Sequence, residues 1–289
     1  MTNNAFEAAL EFIWRNARVI DRQRLLHHFV NPNSEGLVRA LLAYQNPDGG
    51  FGHALEADCR CPDSQPETTR VALEVLEEAG SLSHPSARQA GVWLFSVARP
   101  DGSLPFCLPT VQAYPRAPWW EADGSISQIH TTGAVVGLLT AAGFRHDWLQ
   151  RAADFCWNWF ESTESLNQYE AHSMEVFLRH AGDHDRAIPL EEKAKALLAS
   201  GQVIPLDPDA SAEPDTHTPL HFAPSPDHRW RDAFTDRQIE RCLDRLAAEQ
   251  QDDGGWPIDW PAPGPAAVLE WRGKVTVDAL RTLREYRRL

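Results

Sequence analysis

Apolar residues along the chain recur at three- and four-residue spacing rather than in alternation, a period that predicts helices and almost no strands. Leu37, Leu41 and Leu42 mark one face of a helix over 34–45. Val71, Ala72, Val75 and Leu76 mark another over 66–79, which Gly80 stops. Further helices are predicted over 84–98, 126–142, 147–160, 168–181, 190–200, 235–250 and 274–287, after an opening helix over 5–29. The stretch 126–142 is apolar nearly all round and reads as a helix buried on most sides. Two kinds of helix alternate. One ends at a glycine-rich turn; the other begins with small polar residues and continues apolar.

A phrase recurs at those turns. Gln45-Asn46-Pro47-Asp48-Gly49-Gly50-Phe51 and Gln250-Gln251-Asp252-Asp253-Gly254-Gly255-Trp256 share the pattern Gln-x-x-Asp-Gly-Gly-aromatic, with a weaker copy at Asp101-Gly102-Ser103. Asp48 and Asp101 lie about 50 residues apart, and Asp253 falls about three such periods further on, a spacing typical of repeat architectures. Degenerate copies are expected near 150–165 and 200–210, where helix ends fall without the motif. The phrase has a structural role: glycine permits positive φ after a helix, the Asp bonds turn amides, and the aromatic packs back between hairpins. Five to six repeated helical hairpins imply an all-α fold, an α/α toroid with inner and outer helix rings, as a single domain over 1–289.

Composition narrows the partners. The formal charge is −14, with no basic stripe, so neither nucleic acid nor an anionic membrane is expected to bind. No apolar run approaches the roughly 20 residues of a membrane span. The first residues lack a signal-peptide pattern, and the expectation is a cytoplasmic protein. Five scattered cysteines fit reduced thiols. Eleven tryptophans, several beside Pro and Gly, either line an apolar pocket or seal loops over a core.

On these motifs the chain resembles the terpenoid cyclase and protein prenyltransferase superfamily, whose squalene–hopene cyclase branch carries QW repeats like the two sharp copies here. The resemblance implies a toroid whose inner helices surround a cavity. Class II cyclases place Asp-x-Asp-Asp-Thr at the start of an inner helix; the local match is Gln65-Pro66-Glu67-Thr68-Thr69, which keeps one carboxylate. The Asp-Asp-x-x-Asp motif is absent. Prenyltransferases hold zinc through Asp, Cys and a distant His, and the nearest echo is Asp58-Cys59-Arg60-Cys61 with His172, His217 or His221. Its spacing departs from that pattern, so no metal is assigned; Asp58, Cys61 and His217 stand as the alternative metal set. No cofactor is expected.

Candidate chemistry gathers at the predicted starts of inner helices. Glu67, His130 and His172 form the proposed acid–base set, since imidazole titrates near neutral pH. Glu56 and Asp58 join it from the long loop after the first Gly-Gly turn. Asp63, Thr68, Glu170, Asp215, His217, Trp271 and Lys274 are the expected substrate-binding residues. The bland reading beside this is capping by Ser and Thr at helix starts, with a solvated acidic loop at 53–63. Three functions stand: an isomerase- or lyase-like enzyme that cyclises or isomerises an apolar, isoprenoid- or polyketide-like molecule; a carbohydrate-active α/α-barrel enzyme with paired carboxylates; and a non-catalytic binding toroid.

Overall fold

A computed structural model describes residues 3–210 and 213–289. In chain order the helices are α1 (Asn3–Asn16), α2 (Val19–Phe29), α3 (Ser34–Leu42), α4 (Pro66–Glu78), α5 (Pro85–Val97), α6 (Gln128–Ala141), α7 (Asp147–Ser162), α8 (Gln168–His180), α9 (His184–Ala199), α10 (Pro219–Phe222), α11 (Asp236–Ala248) and α12 (Pro265–Glu285). Among the described residues the only β pairing is two isolated bridges, Gln45 with Phe51 and Cys59 with Arg116. The all-α expectation therefore holds. No helix among the described residues is long and apolar enough to cross a membrane.

Four predicted elements differ, each for a local reason. The opening helix divides because Arg18 is extended (φ −61°, ψ 159°), and its Nε donates to the buried Asp21 carboxylate at 2.8 Å. The helix predicted over 190–200 begins at His184, where Asp183 Oδ1 accepts the Arg186 amide at 3.1 Å. The final helix starts at Pro265 rather than 274, so Trp271 and Lys274 lie inside it and not at its start. Where no helix is predicted, Pro219 opens the one-turn helix α10, because proline at the first helical position gives up an amide that has no intrahelical partner.

The chain divides into two compact units, one of Asn33–Glu192 and one of Met1–Pro32 with Lys193–Leu289. In the first, the turn after α3 is closed by Gln45 Nε2 donating to the Gly49 carbonyl (3.0 Å) and the Gly50 amide donating to Asp48 Oδ1 (2.9 Å). The amide of the buried Phe51 then donates to Thr69 Oγ1 on α4 at 3.0 Å. The second copy repeats this, with Ser103 N–H on Asp101 Oδ1 (3.0 Å) and Leu104 N–H on Thr132 Oγ1 of α6 (2.9 Å).

The other unit uses the same arrangement. Gln250 Nε2 donates to the Gly254 carbonyl (2.9 Å), the Gly255 amide to Asp253 Oδ1 (3.1 Å), and the Trp256 amide to Thr276 Oγ1 of α12 (3.0 Å). Gly49 and Gly254 have φ of +96° and +90°, which other residues adopt only with strain. A Cβ on Gly254 would stand 2.1 Å from the Ala8 carbonyl of α1. Each clasp thus ties the end of one helix to a threonine on the next. Thr69, Thr132 and Thr276 are fully buried. They serve as acceptors for these loop amides, a role that helix capping does not describe.

Helices α6 and α8 run side by side in parallel. Ser173 Oγ donates to the Ile129 carbonyl (2.6 Å) and accepts the Ala134 amide (3.0 Å). A Cβ on Gly137 would come within 2.5 Å of the Val176 carbonyl, so the backbones approach as closely as glycine allows.

Replacing Thr69 by the near-isosteric Val leaves the Phe51 amide buried without an acceptor. Urea unfolding of Thr69→Val is expected to show a loss of about 1–3 kcal/mol; a change below about 0.5 kcal/mol would show that the clasp is dispensable.

Candidate functional site

The site in the Asn33–Glu192 unit begins at the residues before α4. Gln65 is fully buried. Its Nε2 donates to Thr110 Oγ1 (2.9 Å), and its Oε1 accepts the Leu108 amide (2.8 Å). Gln65 is thus a strut between two loops. Pro66 opens the helix, the Glu67 amide donates to the Phe106 carbonyl at 3.1 Å, and the Glu67 side chain points toward α6.

Glu67 is the hub. Its Oε1 accepts from His130 Nε2 at 3.2 Å and from Arg70 Nε and Nη2 at 2.8 and 2.6 Å. Its Oε2 accepts from Thr131 Oγ1 at 2.8 Å. Arg70 also donates to Glu74, and His172 Nε2 lies 3.7 Å from Glu74 Oε1. Three of the expected residues, Glu67, His130 and His172, therefore belong to one network, joined through Arg70 and Glu74.

Burial alone would raise the Glu67 pKa. The Arg70 guanidinium and His130 outweigh it and hold the carboxyl well below the usual range. Glu74 follows the same balance: burial raises it, while Arg70 and His172 bring it down to about 2. Arg70, whose charged form burial disfavours, is held protonated chiefly by Glu67 and Glu74, with Glu56 adding to the field. An ionised, four-fold hydrogen-bonded Glu67 orients the imidazole of His130. The ring of His130 packs edge-on against Phe106 (5.5 Å between centroids) and beside Tyr169 (5.2 Å); Phe106 in turn packs on Trp120 at 4.9 Å.

The loop before α4 is ordered by packing. Glu56 and Asp58 are buried and Asp63 is exposed, so the acidic loop is solvated only in part. The Asp58 carbonyl accepts the Ala117 amide at 2.8 Å. Cys59, Cys61 and Cys107 lie in an apolar cluster with Val111 and Trp120. Burial pushes the Cys59 and Cys107 thiols up to about 12, which suits packing and opposes thiolate chemistry. No group of three or more His, Cys, Asp or Glu side chains placed to hold a metal occurs among the described residues, Asp58, Cys61 and His217 included. Cys61 accepts from Gln65 Nε2 at 3.7 Å.

The remaining expected residues stand outside this network. Glu170 closes a capping box with Asn167, its Oε2 accepting the Asn167 amide at 2.9 Å. Thr68 is buried on α4. Asp215, His217, Trp271 and Lys274 belong to the other compact unit. There Asp215 has φ +56° and donates its amide to Asp259 at 3.0 Å. The rings of His217 and His221 stack at 4.5 Å. Lys274 donates to Asp278 (2.8 Å) and lies 5.7 Å from the Trp271 ring.

Arg70, Glu74, Phe106 and Tyr169 are site members that the sequence reading passed over. The first two carried a signal, since Glu67, Arg70 and Glu74 stand at i, i+3 and i+7 and so share one helix face.

No protein-family model and no curated protein sequence matches the chain. Solved structures do match its fold. A protein from Actinoplanes is 16% identical, with a TM-score of 0.61 over 96% of this chain and 98% of that one. A variant of the type II terpene cyclase MstE from Scytonema, in complex with geranylgeranyl dihydroxybenzoate as substrate, is 14% identical, with a TM-score of 0.56 over 98% and 97%. Another MstE variant, holding the product merosterolic acid A, is 13% identical with a TM-score of 0.58 over 98% and 97%. The likeness shows a terpene-cyclase-like all-helical fold, the class expected from the repeats and consistent with an α/α toroid.

Because both carboxyls titrate below their unfolded value, the stability they contribute is present above about pH 4.5 and is lost as pH falls toward 2. Acid unfolding should therefore steepen in that window. Glu67→Gln is expected to be less stable at pH 7 by about 3 kcal/mol and to lose less between pH 4.5 and 2. An identical acid limb in wild type and variant would remove Glu67 from the account.

Proposed function

We propose that the protein is a terpene cyclase- or prenyltransferase-like enzyme that isomerises or cyclises an apolar, prenyl- or polyketide-like small molecule by proton transfer, with His130 as the proton carrier. The observation that carries this reading is the hydrogen bond from His130 Nε2 to a Glu67 that Arg70 keeps ionised. A carboxylate so held is a poor proton donor, and this is where the chain departs from the class II pattern. An imidazolium held against a carboxylate is a mild acid. It suits protonation and deprotonation at activated positions, such as those next to a carbonyl, rather than at an isolated alkene.

In this reaction His130 removes a proton from one carbon and returns it at another, so the product is an isomer and the enzyme ends unchanged. Glu67 stabilises the imidazolium and fixes its orientation; it is a positioning residue. Phe106, Tyr169 and Trp120 offer apolar aromatic surface near the imidazole, against which an apolar carbon skeleton can pack. The likeness to cyclases that bind prenylated molecules supports the substrate class.

The carbohydrate-active reading fits less well. Paired-carboxylate hydrolysis needs one carboxyl with a raised pKa, whereas Glu67 and Glu74 are both lowered by Arg70. The binding-toroid reading rests on the same network serving stability alone, and the following assay separates it from catalysis.

Purified protein incubated in D2O with prenylated phenols, polyketide enones and geranylgeranyl dihydroxybenzoate should yield an isomer carrying solvent deuterium, detected by mass spectrometry. His130→Ala should lower kcat by about a hundred- to ten-thousand-fold with KM little changed. Turnover undiminished in His130→Ala would overturn the assignment. Saturable binding without isomerisation across the panel would establish the binding reading in its place.

A further inference from the structure

The C-terminal ends of α6 and α8, with the facing side of α7, enclose a cavity of about 260 Å³ that neither Glu67 nor His130 lines. Its apolar wall is Phe144, Leu149, Trp157 and Phe177, all buried, with the Trp157 and Phe177 rings edge-to-face at 4.8 Å. Most polar groups around it are committed. Thr140 Oγ1 donates to the Val136 carbonyl (2.7 Å), His146 Nδ1 accepts the Trp148 amide (3.1 Å), and Asp183 caps α9.

Two groups are not committed. Arg145 stands exposed at the mouth and has no hydrogen bond or ion pair among the described residues. His180 gives Nε2 to Glu77 Oε1 at 2.5 Å, while its other ring nitrogen has no hydrogen bond among the described residues.

We infer that this cavity is a second small-molecule site, one that takes a small aromatic carboxylate. The ring lies against Trp157, Phe177 and Phe144, and the carboxylate pairs with Arg145. Flat apolar walls select a planar body. The planar guanidinium fork matches a carboxylate with two parallel hydrogen bonds, and a cationic ligand would meet Arg145 as a like charge. Size agrees: a cavity of about 150 Å³ already accommodates benzene, so this one holds one or two fused rings with a carboxyl group. The inference does not rest on the acid–base reading of His130.

The test is a titration of the full-length protein with 2-naphthoate, followed by calorimetry and by tryptophan fluorescence. One equivalent is expected to bind saturably below about 1 mM. Arg145→Gln, a change at an exposed position, should weaken binding by about tenfold or more. Ala153→Trp should fill the cavity and abolish binding, and the neutral 2-naphthalenemethanol should bind about tenfold more weakly than the acid. His130→Ala should bind 2-naphthoate as wild type does. Absence of saturation by about 1 mM, wild-type affinity in Arg145→Gln, or loss of binding in His130→Ala would each overturn the site. If Ala153→Trp fails to fold, Arg145→Gln decides alone.

Discussion

A buried amide needs an acceptor, and the architecture follows from where this chain finds one. After each sharp glycine turn the next amides are carried inward. Phe51, Leu104 and Trp256 all lie in the core, and each gives its N–H to a threonine hydroxyl on a later helix. Leaving such a group unpaired costs more than a typical hydrogen bond contributes, so the helix bearing the threonine is held in register with the turn. Asp and Gln in the repeated phrase complete the turn itself. The phrase is therefore a joint, and the helix starts that carry the chemistry are placed by it.

Arg70 sets the charge state of the network at those helix starts. Placed between Glu67 and Glu74 on one face of α4, it holds both carboxyls ionised against the tendency of burial. A single buried carboxyl at the same place, without the guanidinium, would be a strong candidate for a proton donor. With it, Glu67 is an ionised anchor for His130, and in the proposed reaction the proton is carried by the imidazole. The fold likeness to terpene cyclases concerns the helices, whereas the Arg70 ion pairs concern one face of α4.

Much of the fold was legible because it is written in period and punctuation. Helical spacing and the repeated Gln-x-x-Asp-Gly-Gly phrase located the helices and the turns. The misplaced boundaries have side-chain or proline causes, such as the tie between Arg18 and Asp21 that divides the opening helix and Pro265 that starts α12 early. At the site, Glu67 and His130 were legible as polar residues at the starts of apolar helices. Their partnership was not, because they are 63 residues apart and only the fold brings them to 3.2 Å. Glu170 shows the converse: three residues after Asn167, its capping role could be read from spacing alone. The role of Arg70 was also within reach, from its place between two glutamates on one helix face.

The central claim is that Glu67 is an ionised anchor and not an acid. Site-resolved carboxyl NMR of the folded protein, followed as pH is lowered, tests it most directly. The account predicts that the Glu67 carboxyl stays ionised well below the ordinary glutamate value of 4.5. A titration midpoint above that value would contradict the account and return Glu67 to the role of proton donor.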